Sequence, residues 1–232
     1  WVSFVKKPLL APLELTIGAK ERIGADGVVV EPLDEEQLRN DLKALRGKGE
    51  VEALTICFIN SYTNSTHEKL AMEIAKEIFT DTPISVSSDV VPEMQEYERT
   101  ETTVVNSYVR PEVASYVSNL QNVLDNKMGS DTQLSILRSD GGLASARAAA
   151  ESPVNMLMSG PAGGVSGAIY FCRRAGFNDI LTCDMGGTST DVALIQNARA
   201  RVRRETIVAD VRVRAPSVDV RTVGAGGGSI AF

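Results

Sequence analysis

Residues 184 to 191 read Asp184-Met185-Gly186-Gly187-Thr188-Ser189-Thr190-Asp191, with an acid at either end, two adjacent glycines and three consecutive hydroxyl residues. These types in this order can grip a polyphosphate that carries a metal ion. Paired glycines let the backbone bend tightly, and they remove the side chains that would hold a phosphate away from main-chain N–H groups. Thr188, Ser189 and Thr190 add neutral donors, while Asp184 and Asp191 can hold a divalent cation, directly or through its waters. The simpler reading is a tight hairpin. Two-residue hairpins, however, favour Asn-Gly or Asp-Gly and need neither flanking acids nor three hydroxyls.

The elements around this turn are readable. Ile180 to Cys183 forms a largely apolar run into Asp184, and Val192 to Ile195 continues after Asp191. The pattern predicts two buried strands joined by a polar bend. Upstream, Ser159-Gly160-Pro161-Ala162-Gly163-Gly164 opens a predicted helix from Pro161 to Ala175, with Ser159 as its cap and proline in the first turn. That start can offer free N–H groups to an anion. Alternatively, Gly163 and Gly167 let the helix lie close against a strand. Arg138-Ser139-Asp140-Gly141-Gly142 follows a short predicted strand, Gln133 to Leu137, and a small alanine-rich helix is expected over 143–150.

Gly224-Ala225-Gly226-Gly227-Gly228-Ser229 follows a predicted strand at 218–223. A dinucleotide loop would need a helix after it and an acid about 20 residues further on. A tight or flexible loop needs only the glycines. Glu93, Glu96 and Glu98 cluster beside Arg99. Glu96 and Arg99 share a helical face and can pair, either at a solvated acidic helix start or as a buried pair that orients a substrate. Arg199, Arg201 and Arg203 alternate, as do Arg212 and Arg214, which places each set on one face of a strand. Such a stripe suits phosphate, an acidic partner subunit or simply solvent.

Residues 1–86 carry an architectural pattern. Leu13, Leu15 and Ile17 alternate, Ala25-Asp26-Gly27 turns and Val28 to Val30 returns, which predicts a hairpin. Asp34 with Gln37, and Ser65 with Glu68, form capping-box patterns before two amphipathic helices. Strands are expected over Val51–Ile59 and Ile84–Val86, giving an α/β layer. A long helix follows Pro92, interrupted or kinked at Pro111, with Val113, Val117, Leu120 and Leu124 on its packed face. A lobe boundary is placed near residues 87–96.

Composition narrows the function classes. The 232 residues are 43% hydrophobic and 23% charged, as in a globular protein. A net charge of −6 gives no support for nucleic-acid or membrane-surface binding. Cys57, Cys172 and Cys183 lie far apart in apolar surroundings without zinc-site spacing, so buried free thiols in a reducing, cytoplasmic compartment are expected. His67, the only histidine, falls at a helix start and reads as a solvated surface residue rather than a triad member. The chain begins at Trp1 and stops just after a glycine-rich segment, which reads as an internal piece of a longer protein.

Asp184 to Asp191 closely resembles the second phosphate loop of the hydantoinase A/5-oxoprolinase family, whose ATPase core is similar to actin, sugar kinases and heat-shock chaperones. Four further segments are similar to the same family in the expected order: Glu93 to Thr100, Arg138 to Gly142, Met158 to Val165 and Gly224 to Ala231. Family members begin with another Gly-Gly-Thr phosphate loop on the first lobe, and no second loop of that kind occurs in this chain. The resemblance implies an α/β fold of actin-like ATPase (ribonuclease H-like) lobes, incomplete here. Residues 1–90 would be the C-terminal part of the first lobe, in the family's N-terminal region. Residues 91–232 would be the first part of the hydantoinase A catalytic lobe.

The implied activity is ATP- and Mg2+-dependent hydrolysis of a cyclic amide of the 5-oxoproline or hydantoin type. The alternatives are a subunit of an ATP-dependent ketone carboxylase, of the acetone carboxylase type, and a non-catalytic actin-like nucleotide switch. Asp184 and Asp191 would hold the cation. Gly186, Gly187, Thr188, Ser189 and Thr190 would contact phosphate, with Gly226, Gly227, Gly228 and Ser229 on the cleft floor. Glu96, Arg99, Asp140, Gly141, Gly142, Ser159, Gly160 and Gly163 would line the substrate side. The implied partners are a small-molecule substrate and either further copies of the chain or a hydantoinase B-type subunit, with no nucleic acid or membrane.

Overall fold

The structure, a computed structural model, describes residues 9–49, 51–129, 132–208 and 211–230, so Trp1 and Ala231 lie outside the described residues. The chain divides into two compact units, one ending at Val113 and the other beginning at Ala114.

In the first unit, β1 (Arg22–Ile23) and β2 (Val29–Glu31) form an antiparallel hairpin. Its turn needs Gly27, which sits at φ +82°. The expected outgoing strand at Leu13 to Ile17 is instead a 3-10 turn at Leu13–Leu15, closed by Leu15 N–H on Pro12 O at 3.0 Å. Leu13 and Leu15 are exposed there, so nothing draws them into a ladder. Then come α1 (Glu35–Arg46), β3 (Leu54–Ile56), α2 (Thr66–Ile78), β4 (Ile84–Val86) and the short α3 (Ser87–Val90). Asp34 caps α1 as its sequence predicts, with Oδ1 accepting Gln37 N–H at 3.0 Å. Strands β3 and β4 pair in parallel across the α2 crossover. Leu38, Leu42 and Leu45 of α1 pack with Ala71, Ile74, Ala75 and Ile78 of α2 around Ile56 and Phe79.

The other capping box fails for an informative reason. Ser65 stands at the cap position without a side-chain bond, and Asn64 Oδ1 accepts Thr66 N–H at 3.0 Å instead. Glu68 turns inward and is fully buried. Its Oε1 accepts Phe58 N–H at 2.7 Å and the Ser87 hydroxyl at 2.6 Å, while Oε2 accepts Ser88 N–H at 2.9 Å. Ser87 Oγ in turn accepts Arg99 Nε–H at 3.1 Å. Arg99, also fully buried, gives its other donors to Glu93 O at 2.8 Å and Phe58 O at 2.6 Å rather than to Glu96. His67 is likewise no surface residue: it is buried, with Nδ1 2.8 Å from Glu21 Oε2. Both acids are removed from water only where donors await them.

Helix α4 (Glu96–Met128) runs through Pro111 without ending. The second unit continues with the hairpin β5 (Ser135–Leu137) and β6 (Leu143–Ser145), then α5 (Ala146–Glu151) and α6 (Ser159–Arg174). The expected helix from residue 143 starts later, because residues 143–145 pair with β5 and Ser145 Oγ accepts Ala148 N–H at 3.2 Å. Next come β7 (Ile180–Met185), β8 (Thr190–Gln196), β9 (Arg199–Ala200), β10 (Val202–Arg203), β11 (Thr206–Val208), β12 (Val211–Val213), β13 (Ser217–Val218) and β14 (Val220–Val223). Strands β14, β8 and β7 lie side by side, all antiparallel, with β9 also on β8.

Helix α6 covers one face of this sheet, where Ala162, Val165, Ala193, Ile195 and Val218 form a small core. The opposite face leaves Leu181, Cys183, Met185 and Leu194 exposed. Strand β7 is therefore half-buried on one side and exposed on the other, and Cys183 is not the buried thiol its sequence suggests. Cys57 and Cys172 are half-buried, and all three are free. The arginine stripe is partly neutralised: Arg203 and Arg221 face Asp219, and Arg212 lies 3.1 Å from Glu205. Among the described residues, no helix is long and apolar enough to cross a membrane.

The Glu68–Ser87–Arg99 network makes a stability prediction. Arg99→Leu leaves Phe58 O, Glu93 O and Ser87 short of a donor, which should cost about 3 kcal/mol. Urea unfolding measures it, and Glu96→Gln should stay within about 0.5 kcal/mol of wild type.

Candidate functional site

Asp184 ends β7 and Asp191 begins β8, and the two are direct cross-strand partners. Between them, Gly186 N–H donates to Ser189 O at 2.9 Å and closes the bend. That bond uses the Gly186 amide, while the N–H groups of Gly187 and Thr188 donate to no atom of the described residues. Residues 184–188 are all exposed. The carboxylate of Asp184 has no partner among the described residues. The bend thus presents one free acid, a second acid beside it and two outward amides.

The second glycine-rich segment lies directly against this bend. Gly227 N–H donates to Gly186 O at 2.9 Å, and Gly228 N–H to Gly187 O at 2.9 Å. Gly226 makes the approach possible: a Cβ there would lie 2.5 Å from Gly186 O and 2.8 Å from both Gly187 C and Thr188 N. Ser229 closes the loop on itself, its hydroxyl accepting Gly226 N–H at 3.0 Å and its N–H donating to Gly226 O at 2.9 Å. Thr190, buried, donates its hydroxyl to Ala225 O at 2.6 Å. The amides of Gly226, Gly227, Gly228 and Ser229 and the Thr190 proton are thereby spent on protein atoms. Through these bonds the residues hold the bend in place. Ser189 is half-buried, and its hydroxyl, like that of Thr188, bonds to no atom of the described residues.

Helix α6 approaches from the side. A Cβ on Gly164 would come to 4.0 Å from Asp184 Oδ2. On Gly163 it would come within 2.9 Å of Leu137 Cδ2, so this glycine seats the helix on β5. Gly160 and Gly167 have open space around them. Ser159 is the first residue of α6 rather than its cap, and no side chain caps the helix. Asp140 closes the β5–β6 turn, accepting Gly142 N–H at 2.9 Å and pairing with Arg138 at 2.8 Å. Gly141 there has φ +86°, and its Cβ position lies 3.3 Å from Ser166 Oγ on α6. Glu96 and Arg99 belong to the first unit, where Arg99 serves the network around Glu68. A residue not singled out from the sequence is Thr222 on β14, which donates to Asp191 Oδ1 at 2.6 Å. Its signal was the strand period alone, which places it beside Asp191 only once the β14–β8 register is known.

The donor set bears on which cation would fit. Among the described residues, no group of three or more His, Cys, Asp or Glu side chains could hold a metal ion. Two carboxylates beside outward amides suit a magnesium ion that keeps waters and takes its remaining oxygens from a bound phosphate. They do not suit an all-protein cage.

Residues 99–232, more than half of the chain, match the family model described as hydantoinase/oxoprolinase, and residues 3–79 match that of the hydantoinase/oxoprolinase N-terminal region. The chain belongs to the hydantoinase/oxoprolinase family. Caprolactamase subunit alpha of Pseudomonas jessenii is 33% identical over 223 residues, 96% of this chain and 32% of that protein. The crystal structure of ATP-dependent caprolactamase from that organism matches with a TM-score of 0.80 at 32% identity, over 92% of this chain and 31% of that one. The 5-oxoprolinase of Saccharomyces cerevisiae is 35% identical over 204 residues, 87% of this chain and 15% of that protein. A nucleotide-free acetone carboxylase structure, from work on the mechanism of ATP-dependent acetone carboxylation, has a TM-score of 0.80 at 30% identity, over 90% of this chain and 29% of that one. The fold is thus the α/β, actin-like ATPase type of this family. The chain spans about a third of the length of the first curated relatives it matches.

The contact of the two glycine segments is testable without any ligand. In Gly226→Ala the added methyl meets backbone, not a movable side-chain end, so the two loops must part. Hydrogen exchange at Gly227 and Gly228 should rise sharply, with a stability loss of about 1–3 kcal/mol. Gly187→Ala, whose added methyl meets open space, should leave both unchanged.

Proposed function

We propose that the β7–β8 bend binds the phosphates of ATP with Mg2+, in an enzyme that hydrolyses a cyclic amide of the 5-oxoproline, hydantoin or lactam type. One observation carries this reading: Asp184 and Asp191 stand in register at the mouth of a bend whose Gly187 and Thr188 amides donate to no atom of the described residues. In this reading residues 1–90 belong to the first lobe of the family's architecture and residues 91–232 to the ATPase lobe. The rest of the enzyme, including a hydantoinase B-type partner subunit or further copies, would complete the substrate pocket.

An amide resists attack because its nitrogen donates into the carbonyl. ATP supplies a γ-phosphoryl group whose transfer to the amide oxygen removes that resistance and leaves a carbon that water can attack. The task left to this chain is positioning and charge neutralisation. Asp184 and Asp191 would hold the cation, Gly187 N–H and the Thr188 amide and hydroxyl would orient phosphate oxygens, and Ser189 Oγ borders the same edge. Gly186, Thr190 and the 226–229 loop keep those donors aimed, so no reorganisation is needed when charge develops.

A second reading is favoured by the acetone carboxylase match: the same bend would serve phosphorylation of a ketone's enol oxygen before carboxylation. Phosphate release by the intact protein, screened against 5-oxoproline, hydantoin, caprolactam and ketones with bicarbonate, separates the two. A cyclic amide should stimulate turnover, and Asp184→Ala should lower it by on the order of 10²–10³ while the protein stays folded. Stimulation only by a ketone with bicarbonate would select the carboxylase reading. Undiminished turnover in Asp184→Ala would remove the bend from the chemistry altogether.

A further inference from the structure

We propose that Thr222 is a positioning residue that fixes Asp191 for cation binding, an inference that rests on the reading of Asp184 and Asp191 given above. The register places Thr222 opposite Asp191, and Asp191 opposite Asp184. The three residues therefore form one row across β14, β8 and β7, and direct partners share a face of the sheet. Within that row the Thr222 hydroxyl donates to Asp191 Oδ1 at 2.6 Å, a length typical of a charge-assisted bond. It is the only side-chain bond to Asp191 among the described residues.

One proton thus decides how Asp191 is used. Oδ1 is occupied by the hydroxyl, the side chain is held in one rotamer, and Oδ2 is left for a cation. Two carboxylates directly opposite on neighbouring strands repel each other. A donor on the outer side of one draws its charge away from the other and offsets part of that repulsion. Strand formation does not explain the hydroxyl, since valine serves a strand equally well. Core packing does not explain it either, because Thr222 is exposed. The two threonines of this region divide the work: Thr190 fastens the glycine loop and Thr222 aims the carboxylate.

The test measures Mn2+ binding by paramagnetic resonance, with adenylyl imidodiphosphate as the nucleotide probe, in the intact protein. Metal-free binding of the same nucleotide is measured in parallel. Thr222→Val should weaken Mn2+ binding about tenfold, the lower range for losing an outer-shell partner of a ligand. Metal-free nucleotide binding should not change, and Thr222→Ser, which keeps the donor, should restore Mn2+ affinity. Asp191→Asn should lose Mn2+ binding. Unchanged Mn2+ affinity in Thr222→Val, with loss in Asp191→Asn, overturns the role of Thr222 and leaves the carboxylate reading standing. Unchanged affinity in Asp191→Asn overturns both. A parallel fall in metal-free binding in Thr222→Val marks a structural role and also overturns the proposal. If Thr222→Val does not fold by circular dichroism, Thr222→Ala carries the same expectations.

Discussion

The site rests on a contact between two stretches of main chain with no side chain between them. Gly186 O and Gly187 O receive Gly227 N–H and Gly228 N–H, each at 2.9 Å. The approach is closed to any residue with a Cβ at position 226. Peptide planes in a glycine-rich bend are otherwise free to rotate. Tying two of their carbonyls to a neighbouring loop turns the adjoining amides outward and keeps them there. The strand pairing of β8 with both β7 and β14 brings the two loops to one edge of the sheet, and α6, seated on β5 through Gly163, closes the side near Asp184.

The first unit solves a different problem. Glu68 and Arg99 are both fully buried, yet neither bonds the other directly; Ser87 stands between them, donating to one and accepting from the other. Burying each charge with several hydrogen bonds compensates for lost hydration. The network ties the start of α4 to the end of β4 and to the loop after β3. Arg99, singled out from sequence for its acidic neighbours, therefore serves packing through residues that its local context does not name.

Legibility in the sequence followed the range of the interaction involved. The β7–β8 hairpin was readable from residues 180–195 because apolar runs, paired glycines and flanking acids are all local. The Asp34 cap was readable for the same reason. Ser65 and Glu68 carried an equally good local pattern, but the amides of Phe58 and Ser88 claimed the glutamate first. His67 was misread similarly, since Glu21 lies far away in the chain. On its own the loop at 224–229 reads as a tight or flexible loop, and only the family resemblance makes it part of a cleft floor. Two of its amides, those of Gly227 and Gly228, bond the other glycine segment, which no spacing rule reveals. Thr222 was invisible until the register placed it beside Asp191.

The interlocked glycine loops also limit how this motif can be moved between proteins. The eight residues from Asp184 to Asp191 look portable, a short cassette for insertion between any two antiparallel strands. Without the stretch from Ala225 to Ser229 the transplanted bend would lose its buttress, and its amides would wander among many orientations. The transferable unit is a pair of segments over thirty residues apart, together with the middle strand that both of them border.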